Sequence, residues 1–418
     1  MPTHDTTHIP EWWKETTLGE VIIVIAMWPF WSNLKVDMFT ENWVPIIKWW
    51  NLFWLYVSGD YTFVSEDKAT SLWRSVAYPW DFVITHRGTL WQVAIVPNNE
   101  YPRYVASQSQ LRFSVDQNKI NNLYLLYFLK SNSGQHELLK NASQVWVPAI
   151  ATPTKAIKDI NLLLPPLLEQ VAIADMLSSF DAKIELLRGQ NEILEKTAQT
   201  IFQEWFGKYS IENPEELPEG WRVGKLGEIA SLQWWFVHDT SATGKTQSLI
   251  AKMWVVNWKD WFNRSSVMEY SGIPDEKYKL YEDDIIVCTR DVTQDRIIIG
   301  NVSIIPKDLS SQWLYAWSNT WILKSEYNKY YLFLVLRSQE FRDHIIQSAK
   351  WSTIIMITKD AFLERDIIIP LNEFISELMS IISPIFDKIK SHNSQIQSLS
   401  RTRDELLPRL MSGEVRVI

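Results

Sequence analysis

A heptad stripe occurs twice in this chain, and few folds can accommodate it. Between Pro165-Pro166 and Trp205-Phe206, apolar residues recur at alternating spacings of four and three: Ile173, Leu177, Phe180, Ile184, Leu187, Leu194, Ala198, Ile201 and Trp205, with Asn191 in a polar slot. A sustained 3.5-residue period is a coiled-coil seam. Pro166 suits a first helical turn, where its missing N–H costs nothing. At 1.5 Å per residue such a helix is roughly 60 Å long and needs a partner along its seam. Adding 205 to each seam position gives Leu378, Ile382, Ile385, Ile389, His392, Ile396, Leu399, Arg403, Leu406 and Leu410, so the partner is in the same chain. Each stripe opens with a proline after an apolar run, Leu162-Leu163-Leu164 and Ile367-Ile368-Ile369. Pro384 is expected to kink the second helix or delay its start, and Pro408 falls in its last turns. Asn191, His392 and Arg403 interrupt the seam, either as tolerated exposure or as residues that set an antiparallel register.

The repeat extends beyond the helices. Pro10-Glu11-Trp12-Trp13-Lys14 and Leu18-Gly19-Glu20-Val21 return as Pro218-Glu219-Gly220-Trp221-Arg222 and Leu226-Gly227-Glu228-Ile229. Tyr78-Pro79-Trp80-Asp81 matches Tyr281-Glu282-Asp283-Asp284, and an arginine follows each, Arg87 and Arg290. The segments starting at Tyr124 and Tyr331 read as short amphipathic helices. Phe82–Thr85, Val93–Val96, Ile285–Cys288 and Ile297–Ile299 are β-branched, turn-bounded runs expected as strands. The matched islands stand in stretches that diverge, most of all 25–75 against 233–278. The chain is therefore an α+β tandem repeat of a mixed α/β globular segment and a long helix. The expected boundaries are 1–165, 166–210, 211–365 and 366–418.

Composition narrows the class. The single Cys288 excludes an intramolecular disulfide framework and points to a reducing, cytoplasmic compartment. Val21 to Trp31 is too short to span a membrane, and Met1 to His8 is too polar for a signal peptide. A net charge of −8 argues against a generally basic coat but allows local basic surfaces.

These residues resemble the specificity subunit of type I restriction-modification enzymes. The resemblance rests on both Pro-Glu-x-Trp openings with Leu-Gly-Glu, on the helix start Leu162 to Gln170, and on the ending Leu406-Leu407-Pro408-Arg409-Leu410-Met411-Ser412-Gly413-Glu414. It covers nearly the whole chain. It implies two target recognition domains, each gripping one half of a split DNA sequence. It implies two long antiparallel coiled-coil helices that hold those domains apart, in a pseudo-two-fold repeat. It further implies two copies of a methyltransferase subunit, which carries the S-adenosylmethionine, and a translocating restriction subunit.

Tryptophan departs from that pattern. There are 23 Trp and 13 Gly, and the internal repeat aligns Trp12 with Gly220. Trp80 stands where the family has Gly before Asp81, and Trp49-Trp50 where it has a glycine-rich turn. Trp146 and Trp351 fall in equivalent loops, while Trp13, Trp205 and Trp221 fit their places. One reading is an aromatic surface for stacking bases. The other is that most of these tryptophans stand for glycine, because some bacterial lineages read UGA as glycine and others as tryptophan. Twenty such replacements would bring glycine to 33, close to the roughly 7% usual in proteins.

No catalytic motif is recognisable. The Asn/Asp-Pro-Pro-aromatic motif of amino-methyltransferases is missing, Gly244-Lys245-Thr246 lacks the upstream glycine of a phosphate loop, and the seven His show no metal spacing. Asp81 and Asp284 read as turn residues at strand starts. DNA contact is expected from basic and amide residues in the variable loops or beside the matched strands: Asn33, Lys35, Lys48, Asn51, His86, Arg87 and Gln108 in the first segment, and Lys252, Asn257, Lys259, Arg264, Arg290 and Gln294 in the second. Arg and Asn can read base edges, while Lys more often neutralises phosphate. The leading function is a non-catalytic, sequence-specific DNA-binding subunit that recognises a bipartite target and directs methyltransferase and restriction subunits. The alternative is a coiled-coil scaffold or adaptor. A self-contained methyltransferase is disfavoured by the missing motifs.

Overall fold

A computed structural model describes residues 10–27, 38–90, 92–98, 100–140, 142–143, 148–234, 247–256, 262–291, 296, 298–349 and 355–417. The chain forms two compact units, Met1–Ile184 with Ser398–Ile418, and Glu185–Gln397. Each heptad stripe is one continuous 40-residue helix, Leu167–Phe206 and Asn372–Met411. The units divide the chain inside these helices, so each unit holds part of both.

In the first unit the strands are β1 (Lys14–Thr17), β2 (Ile22–Met27), β3 (Phe39–Thr40), β4 (Val44–Ile47), β5 (Thr62–Val64), β6 (Val76–Ala77), β7 (Phe82–Thr85), β8 (Val93–Ile95), β9 (Tyr104–Ala106), β10 (Gln110–Val115), β11 (Ala142–Ser143), β12 (Ala149–Ile150) and β13 (Asn161–Leu164). A four-stranded sheet runs β2-β10-β7-β8, and a five-stranded one β3-β5-β4-β9-β6. Side chains alternate across a strand, so β7 serves two cores. Phe82 and Ile84 join one with Leu111, Phe113 and the Tyr124–Leu129 run, while Val83 joins another with Ala94 and Tyr104.

The second unit repeats this plan with β14 (Arg222–Lys225), β15 (Ser231–Gln233), β16 (Ser248–Ala251), β17 (Val267–Tyr270), β18 (Ile285–Cys288), β19 (Arg290–Asp291), β20 (Val302–Ile304), β21 (Leu314–Ala316), β22 (Thr320–Lys324), β23 (Ile355–Met356) and β24 (Asp366–Ile369). Its main sheet is β15-β22-β18-β20. Ile285 and Val287 face one core, Ile286 and Cys288 the other. The second sheet is β17-β16-β21, with β16 and β21 parallel as β4 and β9 are in the first unit.

Several expectations need correction. Ile298 and Ile299 are not strand residues. They sit in a turn before Gly300 (φ +67), and their N–H groups are satisfied by Asp291 Oδ2 at 2.7 and 3.2 Å; the strand is β20 instead. The helices at Asn122–Lys130 and Lys329–Leu336 exist but are not amphipathic, because residues 124–129 and 331–336 are buried on every side. Pro384 does not delay the second long helix, which starts at Asn372. Asp81 and Asp284 are indeed turn residues: each Oδ2 accepts the N–H three residues earlier, from Tyr78 at 2.9 Å and Tyr281 at 3.0 Å.

The seam positions pack as the heptads require. Ile173, Leu177, Ile184 and Leu187 are buried, as are Leu378, Ile382, Ile389 and Leu410. The polar interruptions are all paired. Within the second unit, Asn191 Oδ1 meets His392 Nδ1 at 2.9 Å, and Asn191 Nδ2 donates to Asn393 Oδ1 at 3.0 Å. Within the first, Arg403 pairs with Asp181, which also accepts from the Tyr127 hydroxyl at 2.6 Å. In the second unit Asn191 meets His392 and Trp205 meets Phe374, so the two helix segments run antiparallel there. A polar contact that only one register can satisfy is how a seam selects its alignment.

Candidate nucleic-acid interface

The described candidates of the first unit gather at one end of its two sheets. β4 and β9 run parallel, Ile47 beside Ala106, so Lys48 and Gln108 leave at the same end. Antiparallel β7 and β10 pair Thr85 with Gln110, and His86 N–H donates to Ser109 O at 2.9 Å, which brings His86 and Arg87 to that end too. Arg87 and Gln108 are exposed there. Lys48 heads a short 3-10 helix, Trp49–Asn51. Its ammonium donates to Thr62 Oγ1 at 2.7 Å and lies 4.9 Å from the Trp50 ring, and partial burial lowers its pKa.

The second unit builds the same edge. Lys252 follows β16 and heads the 3-10 helix Met253–Val255, at the place Lys48 holds after β4. Trp317 follows the parallel strand β21, its N–H bonded to Ala251 O at 3.1 Å, and Lys252 lies 5.6 Å from its ring. Arg290 follows β18, half-buried, as Arg87 follows β7.

Of the expected contacts, Asn51 and Arg264 are engaged elsewhere in the structure, and His86 is buried. Asn51 is 1% exposed and locks its own loop: Oδ1 accepts Lys48 N–H at 2.9 Å, and Nδ2 donates to Ser58 O at 2.9 Å and Asp60 O at 3.1 Å. Arg264 is held by both oxygens of Asp308 at 2.6 and 2.7 Å. The His86 ring is buried, which lowers its pKa because the charged form loses hydration. Asn33, Lys35, Asn257, Lys259 and Gln294 lie outside the described residues, as do Trp146 and Trp351.

The edge also holds residues that sequence reasoning missed. Gln92 and Gln110 are 1% exposed. Thr85 Oγ1 donates to Gln92 Oε1 at 3.5 Å, and Ser107 donates to Gln110 Oε1. Among the described residues, buried His86 Nε2, Gln92 Nε2, Gln110 Nε2, Thr289 Oγ1 and Arg290 Nε have no hydrogen-bond partner. Eight other buried polar atoms of the described residues, among them those of Tyr61, Ser75 and Asn122, have no hydrogen-bond partner either, so these five show only that polar groups stand behind this edge in both units. The available signal was a polar residue at the end of an apolar strand: Gln before Leu111, Thr before Trp321.

This arrangement presents lysine and arginine beside amide groups on strand-end loops, the side chains that neutralise phosphate and read base edges. The chain matches the family model described as the type I restriction modification DNA specificity domain, over residues 79–196 and 218–401. It is 26% identical over 386 residues to the type I restriction enzyme MjaIX specificity subunit of Methanocaldococcus jannaschii, covering 88% of this chain and 85% of that one. To the MjaVIII specificity subunit of the same organism it is 24% identical, covering 75% of each. Its fold is like that of the type I restriction-modification system S subunit from M. genitalium, with a TM-score of 0.53 at 14% identity over 98% of both chains. The chain belongs to the type I restriction-modification DNA specificity family, and recognition of DNA sequence is its role.

Proposed function

We propose that this chain reads a two-part double-stranded DNA target, one part per unit, and catalyses nothing itself. The observation that carries the proposal is the edge built twice on one plan but with different reading groups. Lys48 and Lys252 occupy matching positions, as do Arg87 and Arg290, while the buried groups behind them differ. Equal frames with unequal contents suit two different half-sites. In this reading Lys48 and Lys252 neutralise phosphate and fix register, whereas Arg87, Arg290 and Gln108 reach base edges. The long helices give a docking track for two copies of a methyltransferase subunit, which binds S-adenosylmethionine and performs the chemistry in the cytoplasm. A restriction and translocation subunit completes the complex.

The test is to co-express the chain with its methyltransferase subunit and map adenine methylation genome-wide. One split motif that disappears when this gene is deleted is the expected result. A methylome with no such motif, or DNA binding insensitive to salt, sinks the reading and favours a protein-binding adaptor, because phosphate neutralisation makes affinity fall steeply with salt.

A further inference from the structure

Seven described residues other than glycine have a clearly positive φ, and three of them are tryptophan: Trp43 (111°), Trp80 (73°) and Trp313 (59°). The other four are Thr152, Asp283, Arg296 and Asn319. Left-handed backbone crowds Cβ against the neighbouring carbonyl, so glycine adopts it freely, Asn and Asp tolerate it, and bulky residues avoid it.

The turn at Tyr78–Asp81 is the most telling case. Asp81 N–H bonds to Tyr78 O at 3.0 Å, with Pro79 second and Trp80 third. Proline followed by a positive φ is the type II pattern, whose third place belongs to glycine or asparagine. The matching turn in the second unit, closed by Asp284 N–H to Tyr281 O at 3.1 Å, has Asp283 at that place with φ 63°. Trp43 is more extreme, because its angle lies beyond the left-handed region that Asn and Asp use.

These three side chains also fill no core. Trp43 is 62% exposed, Trp80 43% and Trp313 47%. Trp49, Trp50, Trp54, Trp73, Trp234 and Trp254 are exposed as well, an apolar surface of unusual extent. A second group is the opposite. Trp13 is buried with Nε1 donating to Glu169 at 3.2 Å. Trp221 is buried with ring centroids 4.4 Å from Phe374 and 5.3 Å from Phe206, and Trp205 lies 5.1 Å from Phe374. Trp12 belongs with neither, since its indole bonds to Glu169 at 3.2 Å and lies under Arg416.

We infer that the natural chain carries glycine, inserted at UGA codons, at Trp43, Trp80 and Trp313, and true tryptophan at Trp13, Trp205 and Trp221. The exposed Trp49, Trp50, Trp54, Trp73, Trp234 and Trp254 fall with the first group. Backbone geometry singles out Trp43, Trp80 and Trp313, which a composition count does not, and exposure alone places the other six with them. The inference is independent of what the protein binds.

The experiment is peptide mass spectrometry on the protein isolated from its native cells, covering Trp43, Trp80 and Trp313, with the peptides containing Trp205 and Trp221 as internal controls. Glycine mass at the first three and indole mass at the controls is expected. Indole mass at Trp43, Trp80 or Trp313 overturns the inference, as does glycine mass at either control. A second measurement compares the full chain with its Trp43→Gly, Trp80→Gly, Trp313→Gly triple variant in thermal unfolding. The midpoint should rise by roughly 5 °C as strain and exposed indoles are removed. An unchanged or lower midpoint counts against the assignment.

Discussion

At the end of its central sheet the first unit holds His86, Gln92 and Gln110, and at the matching places the second unit holds Thr289, Asn301 and Thr320. The match follows from backbone pairing. Thr85 N–H bonds to Gln92 O at 3.1 Å where Cys288 N–H bonds to Asn301 O at 2.9 Å, and Thr85 pairs with Gln110 where Cys288 pairs with Thr320. Away from this edge the units agree closely. The Tyr124 hydroxyl donates to Leu163 O at 2.8 Å, and that of Tyr331 to Ile368 O at 2.6 Å. Asn121 and Asn328 cap the helices that carry these tyrosines. The lesson is that the frame is fixed by main-chain bonds and buried aromatic groups, whereas the edge varies through side chains that main-chain pairing does not need.

The largest effects should come from the shared frame. Asp284 holds the Tyr281 turn and pairs with Lys324 at 3.2 Å and Lys329 at 3.1 Å; Asp81 holds the Tyr78 turn and pairs with Arg112 at 3.1 Å. Asp81→Ala should destabilise the protein by about 3 kcal/mol in urea unfolding, because the largely buried Arg112 is left unpaired, and Asp284→Ala by about 1–2 kcal/mol, because Lys324 and Lys329 are well exposed and mainly the turn is lost. A loss under about 1 kcal/mol for either would mean that the turns are not equivalent supports. Next comes the edge. Arg87→Ala and Arg290→Ala should each weaken specific binding by about 1–3 kcal/mol and relax only one half of the recognised motif. If either weakens all sequences alike, that arginine holds phosphate.

The seams offer a finer contrast, since the first unit uses an ion pair and the second an amide–imidazole contact. Asn191→Leu should cost about 1–3 kcal/mol because the contact with His392 Nδ1 is lost, and adding His392→Leu should recover part of it. A double-mutant cycle in urea with no coupling would remove the register role. The smallest effect is with pH. Burial lowers the pKa of His86 below its ordinary 6.5, so in acid the unfolded chain takes up a proton that the buried ring refuses. That contribution is intact above pH 6.5 and is lost as pH falls through 6.5 toward the lowered value. His86→Asn should flatten this part of the stability–pH curve, and Thr289, which does not titrate, should show no counterpart when changed to Val. Calorimetric melts across this range would read both.

The helices and the duplication were legible in the sequence because heptad spacing and repeated phrases are properties of order along the chain. The matching positions of Arg87 with Arg290 were legible because each follows a matched strand. The inward positions of Asn51, Arg264 and His86 were not legible, because an amide or cation in a loop looks the same in sequence whether it faces solvent, bonds its own backbone as Asn51 does, or pairs with a distant carboxylate as Arg264 does. Gln92 and Gln110 were missed for a related reason: only sheet pairing brings residues 18 apart to one edge. Ile298 and Ile299 read as strand because β-branched runs do, and the nearby Asp291 that satisfies their amides is a tertiary fact.

Trp13 and Trp221 stand at matching places, each buried where a globular part meets a long helix. With glycine at the exposed positions assigned above, the described indoles that remain are Trp12, Trp13 and Trp221 at those two joints, Trp205 beside the second, Trp317 after β21 and Trp321 buried in β22. In fluorescence, Trp13, Trp205 and Trp221 would then report loosening of a helix from its globular part, with Trp321 as a reference inside the main sheet of the second unit.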